Sequence, residues 1–224
     1  MIEEPANRNQ LSEEPSRTLQ EVEGETFFDG VSLEKIANEV GTPTYIYSAK
    51  SFNKQFRELE RAFKRVDSKI FYSVKANSNV NIISLFNQLN SGFDIVSGGE
   101  LHRVIAAGGD PRATIFSGVG KSVSEIDLAL KVGIDCFNIE SAPELDRIIE
   151  RSRVLGKKPD ISVRINPDID ALTHPYISTG LKENKFGVDQ VSALQLFKSA
   201  QASMYVELVG IDCLLYTSPS PRDS

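Results

Sequence analysis

Ile70-Phe71-Tyr72-Ser73-Val74-Lys75 is the stretch on which the fold turns. Its first five residues are a short β-prone run bounded by polar positions, which predicts a buried strand. Ile82, Ile83, Phe86 and Leu89 follow at helical spacing. Phe93-Asp94-Ile95-Val96 then reads as a second strand, and Gly98-Gly99 turns the chain into a helix from about 100 to 107. The alternation continues. Thr114-Ile115-Phe116, Cys136-Phe137-Asn138-Ile139, Ile161-Ser162-Val163-Arg164-Ile165 and the run from Val206 to Ile211 are strands. Ile126, Ala129 and Leu130 mark an intervening helix, as do Leu145, Ile148 and Ile149, and Ala193, Leu196, Phe197 and Ala200.

Strands separated by helices predict parallel pairing, because each crossover needs a helix to return the chain. Read as near-continuous apolar runs, the strands are expected to be covered on both faces. Two α/β architectures fit: an open doubly wound sheet, or an incomplete eightfold TIM-like β/α barrel of about six units. No glycine-rich dinucleotide fingerprint follows the first strand, which favours the barrel.

Upstream, Phe52, Phe56, Leu59 and Phe63 recur at helical spacing and predict a helix over about 51–66. Residues 1–25 are polar and rich in Glu, Asn, Ser and Pro, and are expected to form a disordered tail, with structure starting near Phe27. The domain plan is therefore a tail (1–25), a lead-in segment (26–50), a partial barrel (51–213) and a final stretch (214–224). That final stretch, Leu214 to Ser224, has two prolines and no helical period where earlier strands run into helices. It reads as a non-native tail of translated adapter sequence.

A net charge of −6 argues against a nucleic-acid binder, which needs a Lys/Arg excess to offset phosphates. Nothing approaches the ~18 uninterrupted apolar residues of a membrane span. The acidic start Met1-Ile2-Glu3-Glu4-Pro5 is unlike a signal peptide, so the expected compartment is the cytoplasm. Cys136 lies in the apolar run 134–139 and reads as a small buried residue. Two histidines far apart and no His/Cys cluster predict no metal site.

Lys75 ends the first strand, and in a β/α barrel the carboxyl ends of the strands carry the active site. On position alone a solvated surface lysine is the commoner reading. Five segments in register change that. Tyr72-Ser73-Val74-Lys75-Ala76-Asn77 resembles the lysine segment of barrel-type pyridoxal-phosphate-dependent decarboxylases. Gly41-Thr42-Pro43-Thr44-Tyr45-Ile46-Tyr47 resembles the family's strand before the barrel. Phe93 to Leu101 resembles the segment after its second strand, and Val163-Arg164-Ile165-Asn166-Pro167 the end of its fifth. His174 to Gly187, His-Pro-Tyr-Ile-Ser-Thr-Gly-Leu-Lys-Glu-Asn-Lys-Phe-Gly, is similar to the diaminopimelate decarboxylases within that family. The likeness runs from about Phe27 to Cys213.

The resemblance implies that Lys75 binds pyridoxal 5'-phosphate covalently and is the catalytic lysine. It implies that Asp94 helps to hold Lys75 or the cofactor, the bland alternative being a carboxylate that starts a turn. It places Arg164 by the pyridine ring, the alternative being a structural ion pair. Glu100 suits the first turn of a helix and reads as structural. The substrate implied is an amino acid, meso-2,6-diaminopimelate, decarboxylated to L-lysine and CO2 in the last step of lysine biosynthesis. The implied assembly of the full-length protein is a homodimer. The loop 168–187 is long for a βα connection and is expected to contact substrate, cofactor or partner subunit through some of His174, Tyr176, Ser178, Thr179, Lys182 and Lys185.

Where the family has a histidine stacked on the pyridine ring, position 214 is Leu214. The family's glycine-rich phosphate loop, pyridine-facing glutamate, proton-donating cysteine and phosphate-binding tyrosine have no counterpart, and its β-rich second domain is largely missing, apart from the entry segment 26–50 that belongs to it. The chain as given is thus expected to be a truncated and inactive fragment. The other readings left open are a non-catalytic pyridoxal-phosphate-binding regulatory protein and another barrel decarboxylase or racemase.

Overall fold

The computed structural model describes residues 19–166 and 186–213. The expected tail before residue 19, most of the 168–187 loop with its His174, and the stretch 214–224 lie outside the described residues. The chain divides into two compact units between Ser68 and Lys69.

The first unit opens with three short antiparallel strands in the order β1 (Leu19–Val22), β2 (Glu25–Phe28) and β3 (Val31–Ser32). A strand therefore stands at Leu19–Val22, inside the stretch expected to be a tail and ahead of the expected start at Phe27. β1 is exposed along its whole length and shows no apolar alternation, so its sequence carries no strand signal. It is held by a ladder that sets Leu19 opposite Phe28. Both connections are two-residue turns with positive φ at each position, Glu23-Gly24 (52° and 81°) and Asp29-Gly30 (52° and 81°). A non-glycine followed by glycine is the pairing such hairpin turns favour.

α1 (Leu33–Val40) follows, a helix that the apolar spacing had not indicated. It is capped by Ser32, whose Oγ accepts from the Lys35 N–H at 3.2 Å. Gly41–Tyr47, expected to be a strand, bends at Thr42-Pro43 and is in no ladder, and Tyr45 is 89% exposed. No described strand lies beside it to accept its backbone groups. α2 (Ala49–Ala62) is capped by Ser48 and buries Phe56. It ends short of Val66 and groups with this first unit rather than with the barrel.

The second unit repeats strand and helix. β4 (Phe71–Ser73) ends in a single 3₁₀ turn over Val74–Ala76. Then come α3 (Val80–Gln88), β5 (Gly92–Ile95), α4 (Gly98–Ala106), β6 (Thr114–Phe116) and α5 (Val123–Val132). β7 (Cys136–Ile139), α6 (Ala142–Leu155), β8 (Asp160–Arg164), α7 (Gln190–Ala202) and β9 (Glu207–Asp212) complete it.

All six strands are parallel, and their spatial order is their chain order, β4-β5-β6-β7-β8-β9. A doubly wound sheet reverses its strand order at a switch point. This one never reverses, so the unit is the TIM-like barrel arrangement over six strands. Four of the five helices of this unit start on side-chain caps, and α6 starts on a proline in its first turn instead. Asn79, Ser97 and Asp189 cap α3, α4 and α7, and Ser122 with Glu125 forms a capping box on α5.

The strands are not apolar on both faces, contrary to expectation. Phe93, Ile95, Phe116, Phe137, Ile139, Ile161 and Val163 are fully buried on one face, with Leu101, Val104, Ile126, Leu145 and Ile148 of the helices. Each such side chain contributes about 1.5–3 kcal/mol by leaving water. The alternate positions Ser73, Asp94, Asn138, Ser162 and Arg164 share the inner face. Period-2 alternation of this kind leaves the inner face free for polar chemistry.

Candidate active site at the carboxyl end of the sheet

Lys75 lies in the 3₁₀ turn that closes β4, and it is exposed. Among the described residues its amine has no hydrogen-bond or ion-pair partner. Two residues before it, the Ser73 hydroxyl donates to Asp94 Oδ2 at 3.1 Å. Asp94 lies directly opposite Ser73 in the β4–β5 ladder. Its other oxygen, Oδ1, accepts from the Ser117 hydroxyl at 2.6 Å.

The bonding continues along the inner face. Asn138 Nδ2 donates to Ser117 Oγ at 3.0 Å, and Ser162 Oγ donates to Asn138 Oδ1 at 2.6 Å. One chain of hydrogen bonds thus crosses β4 to β8. Its direction is set chemically. A serine hydroxyl has one proton, and Ser117 receives a bond from the Asn138 amide, so that proton goes to Asp94. Asp94 accepts through both oxygens, as a carboxylate does.

Arg164 ends β8, with a side chain only 12% exposed. Nη1 donates to Glu140 Oε1 at 3.3 Å, Nε lies 3.7 Å from Asp212 Oδ2, and the guanidinium sits 5.2 Å from the Phe186 ring centre. Burial pushes the Asp212 carboxyl up; the Arg164 charge opposes this, and the negative charges of Glu140 and Asp94 reinforce it.

Behind these residues lies a second set of buried charges. Lys121, with no exposed side chain, donates to Glu144 Oε1 at 2.6 Å, to the Gly118 carbonyl at 2.7 Å and to the Asn138 carbonyl at 2.9 Å. All three ammonium protons are therefore used, which is what lets a lysine sit in the interior. The second Glu144 oxygen accepts from the Glu140 N–H at 2.8 Å. Glu125 holds the loop after β5 by accepting from the Gly98 N–H at 2.7 Å. Its carboxyl is lowered from the usual range by the Ser122 hydroxyl and next by the Gly98 N–H.

The structure thus gathers Asp94 and Arg164 on the inner face, with Lys75 one turn beyond β4. No hydrogen bond or ion pair among the described residues joins Lys75 to either. Sequence reasoning missed Ser117, Lys121, Asn138, Glu140 and Glu144. A signal existed for two of them, since Asn138 and Glu140 alternate with the apolar Phe137 and Ile139. Lys121 gave none, because nothing local marks a lysine as buried.

An aldehyde cofactor with a pyridine ring needs an uncommitted amine within reach and fixed charges around the ring. An unpartnered exposed lysine, a doubly hydrogen-bonded carboxylate and a partly exposed guanidinium fit that group. Comparison with known proteins adds to this. Residues 49–215 match the model of the pyridoxal-dependent decarboxylase pyridoxal binding domain. The chain is 51% identical over 187 residues to a diaminopimelate decarboxylase of Neisseria meningitidis, covering 84% of this chain and 46% of the relative. Against the Pseudomonas aeruginosa diaminopimelate decarboxylase it is 47% identical over 191 residues, covering 85% and 46%. The chain spans about half the length of the curated relatives it matches.

Two solved structures are similar. Diaminopimelate decarboxylase from Helicobacter pylori, complexed with L-lysine, aligns with a TM-score of 0.78 at 47% identity, covering 81% of this chain and 46% of that one. The enzyme from M. jannaschii, in co-complex with L-lysine, gives 0.81 at 35% identity, covering 88% and 47%. Sequential parallel strands, a lysine at the end of the first of them and a domain match from helix α2 onward agree: the chain belongs to the pyridoxal-dependent decarboxylase family, within its pyridoxal binding domain.

Proposed function

We propose that the full-length protein decarboxylates meso-2,6-diaminopimelate to L-lysine and CO2, as a cytoplasmic homodimer that uses pyridoxal 5'-phosphate. The observation that carries the reading is Lys75, an exposed amine at the carboxyl end of a barrel strand with no partner among the described residues. The names of the relatives, and the L-lysine in the Helicobacter pylori and M. jannaschii complexes, support the choice of substrate.

Each residue has a role in this reading. Lys75 would supply the amine that holds the cofactor. The Asp94 carboxylate, fixed by Ser73 and Ser117, places a negative charge on the side of the sheet that Lys75 extends. Arg164, steadied by Glu140 and Asp212, presents a positive charge to the ring. When bound, the cofactor supplies an electron sink for the pair left behind by the departing carboxylate.

The test is an absorption titration with pyridoxal phosphate, for wild type and Lys75→Ala, in the protein extended to the length of its relatives. The expected result is a visible band from lysine-bound cofactor that is lost in Lys75→Ala, with CO2 released from meso-diaminopimelate. A band that survives Lys75→Ala, or none in the wild type, overturns the assignment.

A further inference from the structure

We infer that Glu140 is a positioning residue for the cofactor site, holding Arg164 and the loop that carries Ser117 in one arrangement; this rests on the cofactor reading above. Glu140 follows directly on β7, and its side chain is 1% exposed. Burying a carboxylate this fully is costly unless its lone pairs are met.

Here they are met by three donors from separate parts of the barrel mouth. Oε1 accepts from the Gly118 N–H at 3.0 Å, in the loop after β6, and from Arg164 Nη1 at 3.3 Å. Oε2 accepts from the Gly187 N–H at 3.1 Å, at the far end of the connection after β8. One side chain therefore ties the ends of two βα connections to the guanidinium.

Both glycines are suited to that close approach. Gly118 has φ of +93° and Gly187 of +78°, the left-handed region that side chains rarely adopt. A Cβ on Gly187 would also meet the Arg164 carbonyl oxygen and the Asn166 nitrogen, each at 3.1 Å.

The Gly118 residue is gripped from both sides. Glu140 takes its N–H, and Lys121 donates to its carbonyl. The Lys121 partner Glu144 in turn holds the Glu140 N–H. Directly before Gly118 stands Ser117, the donor to Asp94. Glu140 thus acts on both charges of the site, on Arg164 by contact and on Asp94 through Gly118 and Ser117. By engaging Nη1 it fixes the plane of the Arg164 guanidinium and leaves Nη2 without a partner among the described residues.

An amide at this position cannot do the same work. Glutamine is isosteric but turns a donor NH₂ toward one of the three donors, so one bond becomes a repulsion. The experiment measures pyridoxal-phosphate dissociation constants and apo-protein melting for four forms of the full-length protein: wild type, Glu140→Gln, Arg164→Met and the double variant. Glu140→Gln is expected to weaken cofactor binding about tenfold or more, the size of effect that follows from leaving a buried donor unmet. In the double variant the two effects should be far from additive, because Glu140 acts largely through Arg164. Simple structural damage would lower the melting temperature and combine additively.

Should Glu140→Gln fail to fold, Glu140→Asp keeps the charge one methylene short and is expected to bind cofactor more weakly than wild type, again non-additively with Arg164→Met. Wild-type affinity in Glu140→Gln or, where that variant does not fold, in Glu140→Asp, or additive losses, overturns the inference while Lys75-dependent binding in the wild type leaves the cofactor reading standing. Loss of that Lys75 dependence overturns both.

Discussion

Lys121 and Glu144 form an ion pair at 2.6 Å with side chains 0% and 4% exposed, and both partners spend their remaining capacity on backbone groups of the barrel mouth. In an interior site, removing one partner leaves the other as an uncompensated charge. Lys121→Met is therefore expected to destabilise the fold by about 3–5 kcal/mol. Adding Glu144→Gln should recover part of that loss, because the amide oxygen can still accept from the Glu140 N–H without a stranded charge. Urea denaturation of the two variants checks the order; a double variant less stable than the single would contradict it.

The Glu125 carboxyl is lowered by the Ser122 hydroxyl first and the Gly98 N–H next. A carboxylate depressed in the folded state adds stability at neutral pH, above its unfolded pKa. That contribution fades as pH falls through the folded value, below the usual carboxylate range. Glu125→Gln should thus be less stable than wild type at pH 7, and the gap should narrow as the pH is lowered to 3. Urea midpoints at the two pH values measure it. A gap that widened in acid would rule out this linkage.

Burial pushes the Cys136 thiol up to about 12, whereas Cys213 is exposed. At pH 8 the half-buried Cys136 thiol therefore stays protonated, and only the thiolate attacks a disulfide reagent. Labelling of the native chain with an aromatic disulfide should modify Cys213 quickly and Cys136 only after denaturant is added. Peptide mapping after timed quenching identifies the site, and rapid native labelling of Cys136 would show the β7 environment to be open.

Gly92 allows the β5 backbone to pass close to its neighbours. A Cβ there would meet Phe71 ring carbons at 2.4 and 2.5 Å and the Ala113 carbonyl oxygen at 3.0 Å. The carbonyl belongs to backbone and cannot swing away. Gly92→Ala is expected to cost about 1–3 kcal/mol as an overpacking change, read as a lowered denaturation midpoint. A neutral result would mean that the strand shifts freely.

Ser152 lies on α6 with its hydroxyl buried and no hydrogen-bond partner among the described residues. Replacing an unsatisfied hydroxyl by a methyl removes a desolvation cost and improves helix propensity. Ser152→Ala is expected to raise stability by roughly 0.5–1 kcal/mol. A clear loss would reveal a partner, such as a buried water.

The sequence by itself determined the barrel elements and the position of Lys75 at the end of the first of their strands. The six barrel strands are where the apolar runs put them, because helix and strand periods are local properties of neighbouring side chains. Lys75 was legible because a strand end is itself local, and because its flanking residues resemble a known family. Where local signals were weak, the reading strayed. β1 owes its order to the ladder with β2, and Gly41–Tyr47 lacks a ladder partner despite its likeness to a strand.

What only the tertiary structure decided is which residues meet. The strands lie in chain order, so residues 21 to 47 positions apart come within hydrogen-bond distance: Ser73 with Asp94, Ser117 with Asn138, Gly187 with Glu140. The alternation of Glu140 with Phe137 and Ile139 marks its face but names no partner, and no local pattern distinguishes Lys121 from a solvated charge. Each is buried only because the partners that offset its desolvation arrive from other strands, and that compensation exists only in the folded barrel.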